Sequence, residues 1–222
     1  AAKNVSPYIS RRHRRPAKNS QDKMVLTILS RNSIKLLLCN MRYKNMNKIS
    51  DFYEAEHIYL SKACDDDCEA MFNNIWSDEE TSKCMNFKPI SNFEDAKKVL
   101  RQSIEYQKNN MGFFVYLKEN REAIGFAGIK RLSDDLYAES GLCIARKHQG
   151  KGYGKELLLL LQRIVFKELQ GTKFVYACMR GNEKSKNLCL SLGYRYDCSE
   201  TVVRKWDNYV YISDRYILSS EH

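Results

Sequence analysis

A glycine-rich turn followed directly by a leucine-rich segment constrains the fold of this chain more than any other feature. The stretch HQGKGYGKELLLLL, from His148 to Leu161, holds three glycines within five residues and then a run of strong helix formers. An apolar, strand-like run ends just before it at Ile144. A strand, a tight turn and a helix in this order leave N–H groups of the first helical turn free and directed at one place, where the helix dipole adds partial positive charge. The stretch therefore predicts an anion-binding turn, to which Lys151 and Lys155 add charge.

The spacing of the glycines excludes two common phosphate-binding motifs. It is neither the GxGxxG of dinucleotide-binding folds nor the GxxxxGK[ST] of P-loop nucleotide enzymes. It fits the pattern Gln-x-x-Gly-x-Gly, formed by Gln149, Gly152 and Gly154. Glycines alone would also suit a flexible turn before a core helix, so the other segments have to decide between the two interpretations.

Strand and helix signals alternate on both sides of this turn. The predicted strands are EHIYLSKA, GFFVYL, AIGFAGIKRL, YAESGLCIA, KFVYACM, YRYDCSETVV and NYVYISDRYIL. The predicted helices are DDDCEAMFNNIW, SNFEDAKKVLRQSIEYQKN, the leucine-rich segment and NEKSKNLCLSLG. Ser91 and Glu94 predict a capping box, and Gly125 and Gly128 predict a bulge or a close backbone approach within a strand. The order β-α-α-β-β-β-α-β-α-β-β indicates an α/β domain on a mostly antiparallel sheet.

Basic residues are concentrated at the start of the chain. Residues 1–50 contain 12 Lys or Arg and one acid, Asp22, whereas residues 51–222 contain 25 basic and 26 acidic residues. We expect residues 1–50 to form a poorly ordered basic extension and residues 51–222 to form the folded domain. The composition of the extension would also suit an organelle transit peptide, or an arm that contacts nucleic acid or a membrane surface. The neutral domain gives no indication of a nucleic-acid-binding face of its own.

The cysteines and the hydropathy exclude two further classes of protein. None of the eight cysteines forms a CxxC pair, and the lone CxxxC of Cys64 and Cys68 has no second pair or nearby His, so no metal site is predicted. Cys143 and Cys178 lie inside apolar runs, where cysteine acts as a small hydrophobic residue. No apolar run is long enough to span a membrane. The chain is therefore expected to be cytoplasmic, in a reducing setting and without a membrane span.

Four segments in the same order resemble the GNAT superfamily of acetyl-CoA-dependent N-acetyltransferases, over residues 54–218. The segments are IYLSKACDDDCEAMFNNIWSDEETSKCMNF, AIGFAGI, AESGLCIARKHQGKGYGKELL and NEKSKNLCLSLGYR. Within that superfamily the chain looks most similar to the branch of ribosomal-protein N-terminal (alanine) acetyltransferases. The resemblance implies the GNAT fold, an α/β fold whose mostly antiparallel central sheet is splayed between strands 4 and 5 and flanked by helices.

The resemblance also implies a site for acetyl-CoA as co-substrate, with no metal. The turn would cradle the pyrophosphate through backbone amides, the end of the preceding strand would hold the pantetheine arm, and the start of the next helix would flank the far end of that arm. The turn residues are Gln149, Gly150, Lys151, Gly152, Tyr153 and Gly154; the strand residues are Leu142, Cys143 and Ile144; the helix residues are Asn182 and Ser185.

Acetyl transfer to an amine requires the neutral amine. At pH 7 roughly 10–15% of an α-amine is neutral, against about 0.04% of a lysine-like amine, so a general base helps most with alkyl amines. By the resemblance, Glu139 is the candidate base, and a backbone N–H near Cys143 or Ile144 would stabilise the oxyanion. Cys189 stands where many members carry a Tyr that protonates the departing thiolate. Cys189, Ser185 and solvent are the candidate donors of that proton. The plainer interpretations are that Glu139 is an ordinary exposed residue of a strand and that Cys189 is a packed core residue.

The acceptor amine is left open by the sequence. Asp78, Glu79 and Glu80, beside Trp76, would attract a cationic amine if they face the site, and they would otherwise form a solvated helix start. Protein N-termini, polyamines or small amines, and aminoglycoside-like drugs are all compatible with the resemblance, and the similarity to the ribosomal-protein branch favours protein N-termini. A homodimer is compatible with it as well. The alternative function is a non-catalytic acyl-CoA-binding module that regulates another process.

Overall fold

The computed structural model describes residues 50–220, which form one eight-stranded sheet with helices on both faces. The strands are β1 (Phe52–Glu54), β2 (Ile58–Ser61), β3 (Met111–Leu117), β4 (Ala123–Arg131), β5 (Leu136–Ile144), β6 (Lys173–Met179), β7 (Arg195–Val203) and β8 (Val210–Ser219). The α-helices are α1 (Cys68–Met71), α2 (Glu79–Lys83), α3 (Phe93–Asn109), α4 (Tyr153–Arg163) and α5 (Glu183–Ser191). A 3₁₀ turn (Asp65–Asp67) leads into α1, and π-helical turns continue α1 (Phe72–Trp76) and α4 (Ile164–Glu168). The predicted basic extension lies outside the described residues, apart from Ser50.

The sheet has the order β1-β2-β3-β4-β5-β6-β8-β7, and every neighbouring pair is antiparallel except β5 and β6. The predicted α/β class with a mostly antiparallel sheet is confirmed. Two short elements, β1 and α2, carried no separate signal in the sequence, because three and five residues are too few to establish a period.

The parallel pair β5–β6 separates after three residue pairs, the last of which is Ala138 with Val175. β5 continues to Ile144 and β6 to Met179 without pairing to each other. The predicted splay is confirmed, and it falls between the fifth and sixth strands because the short β1 precedes the first predicted strand. Beyond Ala138, the N–H groups of β5 that point away from β4 face this gap.

A bulge in β5 accompanies the splay. Ala127 pairs with Leu142 whereas Ile129 pairs with Glu139, so β5 has one residue more than β4 over this interval. Gly141 has a φ of +132° there, a conformation that other residues rarely adopt. The close approaches predicted for the two glycines of β4 are also confirmed, since a Cβ on Gly125 would overlap the carbonyl oxygen of Cys143.

The side chains of the sheet form a separate apolar core on each face. Along β3, Phe113 contributes to the core beneath α4, and the next residue, Phe114, contributes to the core beneath α1 and α3. Leu157 and Leu161 of α4 are fully buried in the first core, and Met71 is fully buried in the second. The helices therefore cover both faces of the sheet and leave the gap between β5 and β6 open.

The predicted cap of the long helix α3 was wrong by one residue. Asn92 is the N-cap, with an extended backbone and a side-chain oxygen that accepts the Asp95 N–H at 2.9 Å. Ser91 and Glu94 do not form the predicted capping box. The helix itself is confirmed, and so is the short helix α5 capped by Asn182.

Candidate functional site

The glycine turn joins the end of β5 to the start of α4. Gly150 and Gly152 have φ values of +78° and +90°, and Gly152 occupies the N-cap of α4. Other residues are strained at these angles, which explains why the turn is rich in glycine. The Gln149 side-chain amide donates to the Ile144 carbonyl at 2.9 Å and so ties the turn to the strand end.

Five successive backbone amides in this turn have no acceptor within residues 50–220. They belong to Gly150, Lys151, Gly152, Tyr153 and Gly154. The following amides, of Lys155 and Glu156, donate to the Gly152 carbonyl. A row of free N–H groups at the positive end of a helix is suited to bind a phosphate or pyrophosphate.

The one carboxylate in the first turn of α4, on Glu156, is directed away from this row. Its Oε1 accepts the N–H groups of His57 and Ile58 at 2.6 and 3.1 Å, and its Oε2 lies 3.1 Å from His57 Nδ1. Glu156 therefore links α4 to the start of β2. Its carboxylate does not occupy the space in front of the row of free N–H groups.

An ionic cluster centred on the half-buried Glu122 lies next to the residues that lead into the turn. The Glu122 carboxylate accepts from the Asn74 amide at 2.9 Å and from the Lys147 ammonium at 2.8 Å, and the His148 ring lies 3.6 Å away. Burial acts to raise the pKa of Glu122, but the hydrogen bonds from Lys147 and Asn74 and the charge of Lys147 outweigh it and lower the pKa to about 2. Burial lowers the pKa of His148, so the neutral ring packs beneath the turn.

Replacing Glu122 with Gln is expected to lower the free energy of unfolding at pH 7 by about 1–3 kcal/mol, because Lys147 and the buried Asn74 amide lose their carboxylate partner. The folded-state pKa is depressed, so the ionised group stabilises the fold above pH 4.5 and this contribution is lost as the pH falls toward about 2. Urea unfolding at a series of pH values between 7 and 3 should show the difference between the two proteins shrinking. Glu119→Gln, at an exposed position in the β3–β4 turn, is the control and should match the parent. A constant difference at all pH values would contradict this role.

The strand residues predicted to hold the pantetheine arm lie along the part of β5 that pairs with β4 but not with β6. The side chains of Leu142 and Ile144 join the core beneath α4, and that of Cys143 joins the opposite core. Burial raises the pKa of the Cys143 thiol to about 12, so this thiol is not a nucleophile at neutral pH.

Glu139 lies where β5 and β6 diverge, one residue after the last pair. Its carboxylate accepts the Gly141 N–H at 2.7 Å, and the backbone N–H of Ala177 on β6 is near enough to favour its ionised form, so the carboxylate faces β6 at the opening of the gap. Burial raises the pKa of Glu139, and these two N–H groups only partly oppose the rise. A carboxylate with a raised pKa is a stronger base than an exposed one.

The start of α5 faces the same gap. The Asn182 side chain accepts the Ser185 N–H at 3.2 Å, and the hydroxyl of Tyr176, on β6, donates to Ser185 Oγ at 3.2 Å. Burial raises the pKa of Tyr176, and the charge of Glu139 adds to the rise, so these groups share one environment. Sequence reasoning missed Tyr176, because its alternating strand marks it only as a core residue.

Cys189 is fully buried in the same region. Its Sγ donates to the Lys186 carbonyl at 3.1 Å, and burial raises its pKa to about 11. The structure thus gathers Glu139, Ser185 and Cys189 around one gap, but it gives Cys189 the surroundings of a packed core residue.

A cleft of about 630 Å³ opens on the opposite face of the sheet, between α3 and strands β3 to β5. Ser140, beside Glu139 in the bulge, lines it, and Gly128 leaves the space that the Ser140 hydroxyl occupies. Trp76 also lines the cleft, as the sequence suggested, but the three acids that follow Trp76 do not. The sequence suggested that the first two helices and the final strand pair would supply the substrate residues. The inner face of α3 does form part of the wall, the final strand pair does not, and the segment 87–91, which completes the wall, was not foreseen.

The three acids have other surroundings. Asp78 accepts from the Thr81 hydroxyl at 2.6 Å and from the Arg146 guanidinium at 2.7 Å. Glu80 pairs with Lys83, and Glu79 is exposed at the start of α2. These acids form a helix start and two ion pairs, Asp78 with Arg146 and Glu80 with Lys83, as in the plainer of the two interpretations.

Among residues 50–220, no helix combines the length and the apolar character that crossing a bilayer requires. Within the same range, no three side chains of His, Cys, Asp or Glu are grouped as metal ligands would be. The seven cysteines described there are all free thiols.

The sequence matches one family model, described as an acetyltransferase (GNAT) domain, over residues 57–195. It is also 30% identical over 125 residues to a protein named uncharacterized N-acetyltransferase p20 from Bacillus licheniformis, an alignment that covers 54% of this chain and 69% of that protein.

Solved structures with the same fold include an acetyltransferase (GNAT family) from Bacillus anthracis, with 20% identity, a TM-score of 0.65, and coverage of 76% of this chain and 98% of the other. The microcin C7 self-immunity acetyltransferase, solved with acetyl-CoA and AMP, has 18% identity and a TM-score of 0.63, with coverage of 74% and 93%. Ribosomal-protein-S5-alanine acetyltransferase from Vibrio fischeri has 19% identity and a TM-score of 0.57, with coverage of 75% and 96%.

Proposed function

The chain belongs to the GNAT acetyltransferase family, and from that premise we propose that it transfers an acetyl group from acetyl-CoA to a primary amine by direct attack in a ternary complex. The amine would belong to a protein N-terminus or to a small molecule. The observation that carries the proposal is the row of five free amides from Gly150 to Gly154, at the N-terminus of α4 and beside the gap between β5 and β6.

The reaction joins the acetyl carbon to the amine nitrogen, breaks the thioester carbon–sulfur bond and moves one proton, in net terms, from nitrogen to sulfur. Acetyl-CoA supplies the acyl group in activated form. The amides of the turn would hold its pyrophosphate, with Lys151 adding charge. Between Ala138 and Ile144, the N–H groups of β5 that point away from β4, other than the Gly141 N–H engaged by Glu139, would bind the pantetheine arm and the developing oxyanion. Asn182 would flank that arm from α5.

We assign the general base to Glu139. Its raised pKa keeps it a stronger base than an exposed Glu, and its position in the bulge is next to Ser140, which lines the cleft. The carboxylate oxygens retain lone pairs beyond those used by the two backbone N–H groups.

We assign the proton that reaches sulfur to Ser185, positioned by Tyr176. The Ser185 hydroxyl receives a hydrogen bond from Tyr176 and can therefore donate its own proton elsewhere. Cys189 is the second candidate, but its full burial and its bond to the Lys186 carbonyl favour a packing role. We further propose that residues 51–222 are the catalytic unit and that the protein acts in the cytoplasm.

The first test is a thermal melt of the full chain with and without acetyl-CoA. Ligand at about 100 times its dissociation constant adds about 2.7 kcal/mol, which corresponds to a rise in Tm of roughly 5–10 °C for a domain of this size. CoA should reproduce the rise, and ATP and NAD should not. No rise at millimolar acetyl-CoA would overturn the proposal.

A non-catalytic acyl-CoA-binding module is the second candidate, and the packed Cys189 in the position of the common tyrosine favours it. The two functions differ in one readout. The module would show the rise in Tm but no acetylated product, by mass spectrometry, with any amine.

A further inference from the structure

The cleft between α3 and the sheet is walled largely by aromatic side chains. Phe87 and Phe126 are half-buried and meet edge to face at 6.3 Å. Trp76 and Phe114 are buried and meet edge to face at 6.1 Å. Tyr106, half exposed on α3, stands at the rim. Such a wall offers apolar area and ring edges to a ligand and few polar partners.

The charged residues that line the cleft are Lys88 and Asp95. The Asp95 carboxylate is already engaged by the Lys98 ammonium and the Asn92 amide, each at 2.7 Å. Lys88 is exposed and adds positive charge. The cleft therefore has no unengaged carboxylate among its lining residues with which to hold a second positive charge of a ligand.

The remaining polar groups of the cleft are uncharged and suit a ligand that is neutral apart from its amine. Gln107 accepts the Ala63 N–H at 2.7 Å, and the Ser103 hydroxyl donates to the Val99 carbonyl at 2.9 Å. The side chains of Ser140 and Gln102 have no hydrogen-bond partner among the described residues and remain for the ligand. Ser140 follows the candidate base, Glu139, in the chain, so we place the amine at the end of the cleft that Ser140 lines.

From these observations we infer that the acceptor carries its amine next to an aromatic or branched apolar group and bears no second positive charge. The inference rests on the proposed function, since it assigns the acceptor to this cleft. An apolar group that enters the cleft leaves water and gains contact with the rings. A second ammonium in the same place would lose part of its hydration and meet Lys88 and a carboxylate, Asp95, that Lys98 and Asn92 already engage. Polyamines and aminoglycosides, which carry several positive charges, are therefore poor acceptors.

The test measures kcat/KM of the full chain for matched amines by mass spectrometry of the acetylated product. The panel pairs 2-phenylethylamine with ethylamine, and Phe-Gly-Gly amide with Gly-Gly-Gly amide; spermidine and kanamycin are the polycations. Within each pair the aromatic member should be favoured by about 10- to 100-fold. Both polycations should fall below 2-phenylethylamine by at least about 10-fold. The two aromatic members distinguish a free amine from a peptide N-terminus as the source of the same chemistry.

Two variants test which side chains are responsible. Phe87→Ala should reduce the preference for the aromatic member by about 5-fold or more, whereas Phe93→Ala, whose ring lies on α3 outside the cleft lining, should leave the preference unchanged. Gln102→Glu adds one carboxylate to the cleft with little change in shape, and it should raise kcat/KM for spermidine relative to 2-phenylethylamine by about 5-fold.

A binding measurement separates failure of this inference from failure of the proposed function. In a Trp206→Phe background, Trp76 is the one remaining tryptophan of the chain, and it lines the cleft. Its fluorescence should respond to 2-phenylethylamine at lower concentration than to spermidine, whether or not acetyl transfer occurs. Equal or tighter binding of spermidine, or equal turnover within the matched pairs, would overturn the inference.

Discussion

Replacing Glu139 with Gln is expected to lower kcat for acetyl transfer by about 100- to 1000-fold. The variant keeps a carbonyl oxygen that can accept the Gly141 N–H, but it has no group that can take a proton from the amine. Affinity for acetyl-CoA, measured by the shift in Tm, should change by less than about threefold. The stability of the variant at pH 7 should equal or exceed that of the parent. The pKa of Glu139 is raised in the folded parent, so ionisation of this carboxyl reduces the parent's stability as the pH rises, and Gln does not ionise.

The control for this variant is Glu119→Gln, which removes one carboxylate from an exposed turn. Its kcat should equal that of the parent. A Glu139→Gln enzyme that retains more than a third of the parental kcat would make Glu139 an ordinary strand residue, and the base would have to be sought elsewhere.

The pH dependence of kcat gives Glu139 a second readout. The base acts when ionised and its pKa is raised, so kcat should fall as the pH falls through a value above the usual 4.5 of a Glu carboxyl. This acid limb should be absent from the residual activity of Glu139→Gln. The same limb in both proteins would assign it to another group, such as the acceptor amine.

Replacing both Gly150 and Gly152 with Ala is expected to weaken acetyl-CoA binding by roughly 30- to 1000-fold. Each Ala would be strained at φ near +80° to +90° by about 1–2 kcal/mol. In the free variant the turn can relieve this strain only by moving its amides. Binding of acetyl-CoA would have to restore their arrangement, and the strain would then reduce the affinity. Isothermal titration with acetyl-CoA measures the change in the dissociation constant directly.

Gly193→Ala is the matched control for this variant, because Gly193 has a φ of +85° at the end of α5 and space for a Cβ. It should lose stability to a similar extent per residue and bind acetyl-CoA as the parent does. Unchanged affinity of the doubly substituted turn would mean that the five free amides do not hold the co-substrate.

Features that depend on a few neighbouring residues could be predicted well. The turn after β5, the cap of α5 by Asn182 and the close approaches at Gly125 and Gly128 were all read from short stretches. The N-cap of α3 could not be predicted from a short stretch. Ser91 and Asn92 are both good capping residues, and the extended backbone at Asn92 decided between them.

The chemistry of the site depended on contacts that no short stretch records. Tyr176 and Ser185 are joined because α5 packs against β6, and Glu139 reaches Ala177 because two strands diverge beside it. The acids after Trp76 look like a site for a cation in the sequence, yet Arg146 and Thr81 engage Asp78 in the fold.

By itself the sequence determined the order of the longer helices and strands and the glycine turn before α4, because periodicity, capping and positive φ angles are set within a few residues. The tertiary structure alone decided which carboxylates are engaged and which rings wall the cleft. Those properties arise from side chains far apart in the chain, which come together only when α3 and the segment 87–91 pack on the sheet and exclude water.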